Sequence, residues 1–164
     1  MNRIDARARA WTIGIAALVA VLFAAVGAGL TDLGPWYVRL AKPGWQPPDA
    51  LFGPAWTLIF TLCAAAAVRA WGATSGSHAR RRLVALFIVN LLLNALWSLL
   101  FFRLRRPDWA LLEVAALWLS ILVLIRQLAP IERLGAWMLA PYLAWVSFAA
   151  VLNLAIVRLN APFG

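Results

Sequence analysis

The sequence is poor in the side chains that most often bind metals or form cross-links. It holds one cysteine, Cys63, and one histidine, His78. A single cysteine inside an apolar run excludes an intramolecular disulfide and says nothing about the redox compartment. His78 stands beside Arg80, Arg81 and Arg82 in a polar stretch, where we expect it to be solvated. These shortages exclude the usual soft metal sites and the commonest axial ligand of haem.

The residue patterns of ordinary hydrolases and transferases are missing too. There is no nucleophile–base pair, no paired carboxylate site, no glycine-rich phosphate loop and no metal-ligand spacing. We therefore predict no catalytic residue of these kinds, no metal and no cofactor.

Apolar residues dominate what remains. They make up 65% of the sequence, and the mean hydropathy is +0.84, which an ordinary soluble globule does not reach. The formal charge of +9 would by itself suggest a nucleic-acid partner. However, the Lys and Arg residues lie mostly in short stretches that border the apolar runs, as they do around membrane-spanning helices. We predict an integral membrane protein that binds no nucleic acid.

Five apolar runs are long enough to cross a bilayer, which takes about 20 helical residues. With no strand alternation, they predict an all-α membrane protein, a five-transmembrane-helix bundle that forms a single domain over residues 1–164. A cleaved secretory signal is the alternative for the first run, although the match to a cleavage site near Ala28 is loose. The predicted spans are 11–30, 51–71, 83–102, 108–125 and 134–157.

The distribution of cations favours a cytoplasmic N-terminus, with nine on its side of the membrane and six on the other. This orientation places the segment between the first two spans outside. The nine are Arg3, Arg7, Arg9, Arg69, Arg80, Arg81, Arg82, Arg126 and Arg133; the six are Arg39, Lys42, Arg103, Arg105, Arg106 and Arg158.

The segment 36–48, within a predicted loop over 31–49, combines aromatic rings, three prolines and two cations. Proline lacks an N–H donor and clashes with the preceding helical turn, so we predict a loop without helix. Its aromatic rings are costly to leave in water. They form either a belt at headgroup depth or a stiff lid over a cavity between helices.

Several residues inside the spans stand out. Ala16, Ala20, Ala24 and Ala28 recur every fourth residue and predict a face that another backbone can approach, unless they only reflect abundant alanine. The polar side chains of the spans must face protein or water, and the asparagines either join helices or line a site. Apart from Asp108 at the start of the fourth span, no acid or histidine accompanies Glu113 in the spans, which argues against a proton relay. These polar residues are Asn90, Asn94, Glu113 and Asn153.

Tryptophan is the most unusual feature of the spans. Trp56, Trp97, Trp118 and Trp145 lie in or at the ends of four of them, and Phe60 shares a helix face with Trp56. Flat rings from several helices would wall a slot for an aromatic or polycyclic ligand. The alternative is that each ring faces lipid or only packs.

Four motifs carry a resemblance to a known family. They are Trp36-Tyr37 through Lys42-Pro43-x-Trp45-x-Pro47-Pro48, Pro54-x-Trp56-Thr57, Asn94-x-x-Trp97 with Phe101-Phe102, and Pro141-Tyr142-x-x-Trp145 with Leu152-Asn153. Together they resemble the tryptophan-rich sensory proteins of bacteria, which are related to the mitochondrial translocator protein, formerly the peripheral benzodiazepine receptor: the TspO/MBR family.

The resemblance implies a five-helix bundle, often a homodimer, in a bacterial cell membrane. It implies a pocket that the first loop covers and that takes porphyrins such as protoporphyrin IX, sterols or lipids, or isoquinoline-type drugs. The aromatic residues would stack on the ligand, Asn94 would contact its polar edge, and Ala149 would leave room. The ligand-binding residues that it implies are Tyr37, Trp56, Phe60, Asn94, Trp97, Trp145 and Ala149.

Together with the slot of flat rings and the missing catalytic groups, the resemblance implies a membrane receptor or sensor for porphyrins in tetrapyrrole-linked stress signalling. Light-dependent porphyrin degradation is an alternative that the resemblance implies, with Trp56 and Trp145 as the residues concerned. Transport of tetrapyrroles or lipids is another, although five helices offer no even inverted repeat. A fourth is an assembly factor that packs through the alanine face.

Overall fold

Every regular secondary-structure element in the described part of the chain is a helix. A computed structural model describes residues 3–163, and the side chains of residue 7 and residues 9–163. No strand occurs in this range, and the predicted all-α fold class is confirmed. The helices are α1 (Arg3–Leu30), α2 (Pro35–Arg39), α3 (Phe52–Ala73), α4 (Ser77–Ser98), α5 (Pro107–Leu128), α6 (Arg133–Met138) and α7 (Ala140–Asn160), with a 3₁₀ turn over Asp49–Leu51 and a π-helical segment over Leu99–Arg103.

Five helical segments are long and apolar enough to cross a membrane, and each predicted span lies within one of them. The protein is therefore a multi-pass integral membrane protein. Met1, Asn2 and Gly164, which the single-domain prediction includes, lie outside the described residues, as do the side chains of Arg3 and Asp5. The segments are Arg9–Leu30, Asp49–Ala73, Ser77–Arg103, Pro107–Leu128 and Arg133–Asn160.

α5 supplies the centre of the bundle. Its buried residues recur at alternating intervals of four and three, which keeps them on one helix face. α4 and α7 pack along it, whereas no residue in the most apolar part of α1 is buried. α1 lies at the edge of the bundle, against α3 and α4. The buried α5 residues after Pro107 are Ala110, Val114, Leu117, Ile121, Leu124 and Leu128.

The asparagines in the spans join helices, as the packing interpretation predicts. Each donates its side-chain amide to a neighbouring helix, because lipid offers these groups no partner. The bonds run from Asn90 Nδ2 to Ser120 Oγ (2.8 Å), from Asn94 Nδ2 to Tyr142 Oη (3.3 Å) and from Asn153 Nδ2 to the Pro107 carbonyl (3.0 Å).

The first loop contains a helical turn, and the prediction of a segment without helix is wrong there. Pro35–Arg39 forms α2 because Pro35 stands at the start of the helix, where its missing N–H needs no partner. The prolines that exclude helix come later, from Pro43 to Pro48.

The third span ends in a widened turn. The Leu104 N–H donates to the Leu99 carbonyl at 2.9 Å, five residues back, instead of four. Arg105 then adopts a positive φ of 56° and ends the helix. The extra residue in the turn brings the rings of both Phe101 and Phe102 close to Trp97.

The fifth span is two helices rather than the single predicted one. α6 ends at Met138, Leu139 donates its N–H to the Ala136 carbonyl (3.1 Å), and α7 begins at Ala140. Pro141 has no N–H to donate to the preceding turn, which accounts for the interruption. Residues on both sides of the break are apolar, so the hydropathy of the sequence shows one continuous span.

Candidate functional site

Tyr37 anchors the first loop to the bundle. Its buried hydroxyl donates to Asp49 Oδ1 at 2.9 Å. Gln46 Nε2 donates to the same carboxylate oxygen (3.2 Å) and lies 3.3 Å from the Tyr37 hydroxyl. Burial and then the hydrogen bond to Asp49 raise the pKa of Tyr37 to about 12, so the phenol is neutral at physiological pH.

Lys42 brings a positive charge to the same group. Its Nζ lies 3.7 Å from the centre of the Tyr37 ring, within the range of a cation–π contact. Its side chain is half-buried. The loop therefore holds a cation close to a neutral aromatic ring at the membrane surface.

The loop is also tied to the end of α7. The Ala41 N–H donates to Asn160 Oδ1 (2.8 Å), and Asn160 Nδ2 donates back to the Ala41 carbonyl (2.9 Å). Trp45 meets Phe148 of α7 edge to face, with 6.0 Å between ring centres. Loop and last helix thus form one connected surface.

Trp56 and Phe60 of α3 stack on each other. Their ring centres are 5.4 Å apart and their planes differ by 28°. Trp56 also meets the Tyr142 ring edge to face at 6.1 Å, and Tyr142 accepts the bond from Asn94. Tyr142 therefore connects Asn94 of α4 with the Trp56–Phe60 stack of α3.

Trp97 lies where the aromatic groups meet. It stacks on Phe101 (5.1 Å between centres, 23° between planes) and meets Phe102 edge to face at 6.1 Å. Its Nε1 is buried and has no hydrogen-bond partner in the described part of the chain. A buried N–H without a partner is unusual, because it loses its hydrogen bond to water and gains none in the protein.

Trp145 and Ala149 lie one turn apart on α7. Trp145 meets the Phe52 ring edge to face at 5.6 Å and the Phe148 ring at the same distance with tilted planes. Both Trp145 and Ala149 are half-buried.

The structure brings all four of the tryptophans singled out in the spans to one buried cluster. Trp56, Trp97, Trp118 and Trp145 pack against it. Trp97 also packs against a second cluster, which contains Tyr37. The first cluster consists of Ile59, Val114, Leu117, Ile121, Tyr142 and Val146; the second consists of Tyr37, Phe101, Ala110, Leu152 and Ile156.

Phe60 also faces in another direction. Among the predicted site residues it alone, within the range that the structure describes, lines a cavity of about 360 Å³ between α1, α3 and α4. That cavity extends toward the opposite end of the bundle from the first loop.

Trp118, the fourth of the tryptophans singled out in the spans, donates its Nε1–H to Ser147 Oγ at 2.8 Å.

Comparison with known proteins identifies the family. A model of the TspO/MBR family matches residues 13–159. The chain belongs to the TspO/MBR family. It is 37% identical over 147 residues to the tryptophan-rich protein TspO of Archaeoglobus fulgidus, covering 90% of this chain and 94% of that protein. It is 30% identical over 150 residues to the tryptophan-rich sensory protein of Cereibacter sphaeroides (92% of both) and 32% identical over 129 residues to the translocator protein of Homo sapiens (76% and 75%).

In this TspO/MBR protein the predicted residues are held by partners that were not predicted from the sequence. Asp49 and Gln46 fix Tyr37, while Asn160 fixes the loop backbone. Asp49 directly follows Pro47-Pro48, and Tyr142 belongs to the Pro141-Tyr142-x-x-Trp145 motif, so both could have been predicted as partners from the sequence. Asn160 offered no such signal.

The same part of the TspO/MBR chain offers little for metal chemistry. No group of three or more His, Cys, Asp or Glu side chains that could hold a metal ion occurs among the residues that the structure describes. What the site provides instead is flat apolar rings, one buried indole N–H and one cation.

Proposed function

We propose that this protein binds a porphyrin-like tetrapyrrole, such as protoporphyrin IX, between its helices at the first-loop end, and that it acts as a sensor in tetrapyrrole-linked stress signalling. The observation that carries the proposal is the buried, unpartnered Nε1–H of Trp97 amid flat rings. An acceptor on a bound ligand would satisfy this donor.

The aromatic rings support a flat ligand. Trp56, Trp97 and Trp145 come from three helices and surround one cluster. Aromatic rings gain most from offset stacking or edge-to-face contact with another ring. A porphyrin macrocycle is flat and offers both kinds of contact, so the ligand would exchange ring–ring contacts within the protein for contacts with itself.

Lys42 supports a ligand that carries carboxylates. It takes part in no ion pair with any described side chain, yet it is held against Tyr37 beside the rings. The propionate groups of protoporphyrin IX would find in it a charge-assisted hydrogen-bond donor. A neutral polycyclic ligand would gain nothing from this cation.

The connections of the first loop support sensing. A ligand shifts a conformational equilibrium only if it binds the two states with different affinity. Insertion beside Trp145 would disturb Phe148 and therefore Trp45 of the loop, which contacts it. The loop would then present a changed surface to a partner. The name of the Cereibacter sphaeroides relative, a tryptophan-rich sensory protein, is consistent with this role.

The test is a titration of the purified protein with protoporphyrin IX in the dark, followed by tryptophan fluorescence. We expect saturable quenching. Trp97→Phe keeps a ring and removes the N–H, and Trp145→Ala removes a ring. Each should weaken binding about tenfold, which corresponds to about 1.4 kcal/mol.

Trp137→Phe is the matched control, because it also removes one indole but from a side chain that is 64% exposed on α6. Its affinity should equal that of the unmodified protein. Quenching that does not saturate, or that is the same in all variants, would mean that the porphyrin partitions into detergent and would overturn the proposal.

A further inference from the structure

An apolar cavity opens at the end of the bundle away from the first loop. It measures about 360 Å³ and lies between α1, α3 and α4. Ala16 and Ala20 of the alanine face are among the residues that line it. Other lining residues are Ile15, Ala67, Leu83 and Phe87. Its apolar walls suit a hydrocarbon chain.

A basic recess continues from this cavity. It measures about 580 Å³ and shares Trp71, Val84 and Ile88 with the cavity, and it adds Arg80 and Arg81. Because the two spaces share these three lining residues, they adjoin each other. We call the pair the α1/α3/α4 groove; it is apolar toward the membrane centre and cationic at the membrane surface.

The recess holds Arg80 in a defined position. Arg80 Nε donates to the Thr74 carbonyl (3.1 Å), and its guanidinium carbon lies 4.7 Å above the centre of the Trp71 ring. Nε carries only one of the five guanidinium N–H donors. The remaining donors suit the geometry of a phosphate.

The surrounding charge favours an anion. Arg80, Arg81 and Arg82 follow one another at the start of α4. The N-terminus of this long helix adds partial positive charge. Among the acids whose side chains the structure describes, Glu132 is the one at this end of the bundle, and it is already paired with Arg69.

We propose that the α1/α3/α4 groove binds one membrane phospholipid with an anionic headgroup, one of its acyl chains in the cavity and its phosphate at Arg80 and Arg81. Such a lipid matches both halves of the groove, because it carries an apolar chain and an anionic headgroup in one molecule. A second copy of this chain packed symmetrically on the same face would bring the same arginines toward each other, which opposes association.

The experiment is native mass spectrometry of the full chain, exchanged into micelles that contain phosphatidylglycerol or phosphatidylcholine with identical acyl chains. We expect one phosphatidylglycerol to be retained per protein chain, saturably, and at least tenfold more tightly than phosphatidylcholine. Inorganic phosphate at millimolar concentration should not displace it, since phosphate lacks the chain. Equal retention of both lipids, or displacement by phosphate alone, would overturn the proposal.

Two kinds of variant test the two halves of the groove. Arg80→Gln/Arg81→Gln should reduce phosphatidylglycerol retention about tenfold, since each basic residue near an anionic surface contributes to attraction. Arg81→Gln alone leaves the contacts of Arg80 intact and should give a smaller loss. Ala67→Phe should fill the cavity and reduce retention of both lipids.

Arg126→Gln/Arg133→Gln is the matched control. It removes two exposed cations at the same end of the bundle but outside the groove. An equal loss in this control would show that retention follows net charge, and the proposal would fail. Helical circular dichroism of each variant checks its folding, and Ala64→Leu replaces Ala67→Phe if the latter does not fold.

Discussion

Asn160 binds both backbone groups of Ala41, accepting from its N–H at 2.8 Å and donating to its carbonyl at 2.9 Å. The two residues are 119 positions apart in the chain. A primary amide is the side chain that offers a donor and an acceptor side by side, as a neighbouring strand would. The last residue of α7 therefore holds the first loop as a partner backbone would.

This pair predicts how the loop can be released. In Asn160→Ala, the loop loses both bonds, and we expect faster amide hydrogen exchange in peptides that cover residues 36–48, with a loss of stability of about 1 kcal/mol. Asn160→Asp keeps the acceptor for the Ala41 N–H and should give an intermediate rate. Ser147→Ala, elsewhere on α7, is the control. Unchanged exchange in Asn160→Ala would show that the ring contacts alone hold the loop.

Tyr37 predicts a pH dependence. Its pKa is raised to about 12 by burial and by the bond to Asp49, above the usual value of 10.0. A group with a raised pKa in the folded state contributes stability below its unfolded pKa, and this stability is lost as the pH rises through the folded value. The loop should therefore stay closed up to about pH 10 and open between pH 10 and 12.

The measurement is the absorbance of tyrosinate in a Tyr142→Phe background, where Tyr37 is the remaining tyrosine. We expect its transition near pH 12, and Asp49→Asn should shift it downward by removing the negative charge beside the phenol. A transition near pH 10 in the folded protein would contradict the buried, hydrogen-bonded position of Tyr37.

Asn153 predicts a structural effect separate from the loop. Its side chain is 1% exposed and its Nδ2 donates to the Pro107 carbonyl at 3.0 Å. In Asn153→Ala, that carbonyl loses its side-chain donor at the start of α5, and we expect a loss of about 1 kcal/mol. The loss is kept small because Asn153 Oδ1 is buried without a partner among the described residues, so its removal offsets part of the cost. Unfolding in mixed detergent micelles, followed by helical circular dichroism, gives the value. A loss below about 0.5 kcal/mol, the range of neutral surface substitutions, would mean that this bond contributes little.

The sequence was sufficient for the features that depend on local composition. Apolar runs of the right length gave the five spans because each helix satisfies its own backbone in lipid. The aromatic motifs selected Trp56, Trp97 and Trp145, which the fold does bring to one cluster. Features that depend on tertiary contact were out of reach, since nothing near Asn160 in the sequence indicates Ala41.

Two further features show why local patterns fall short. The widened turn at Leu99–Arg103 brings Phe101 and Phe102 to Trp97, yet its composition is that of any apolar helix, so the sequence does not indicate it. The alanine face of α1 predicted a close backbone contact. α1 does pack against α3 and α4, and at Ala16 and Ala20 the same face also borders the α1/α3/α4 groove, because small side chains leave room as readily as they permit approach.

The buried carboxyl group of Glu113 is expected to destabilise the folded bundle. Both of its carboxyl oxygens are buried and have no hydrogen-bond partner among the described residues. An unsatisfied polar group inside a membrane span destabilises the fold. Glu113→Leu removes it, so we expect a gain of about 1–2 kcal/mol against detergent unfolding. Glu113→Gln keeps the shape and a polar end and should gain less.

Glu132→Leu is the contrasting variant, because it removes the partner of Arg69 at the surface. The side chain of Glu132 is 17% exposed and that of Arg69 is 44% exposed, so the pair is partly buried. Removing one partner leaves the other charge unpaired, so this variant should lose stability where Glu113→Leu gains it. If Glu113→Leu instead destabilises the protein, the carboxyl has a partner that the isolated chain does not supply. Repeating the dark porphyrin titration on Glu113→Gln then decides whether that partner is the ligand, since only in that case does the affinity fall.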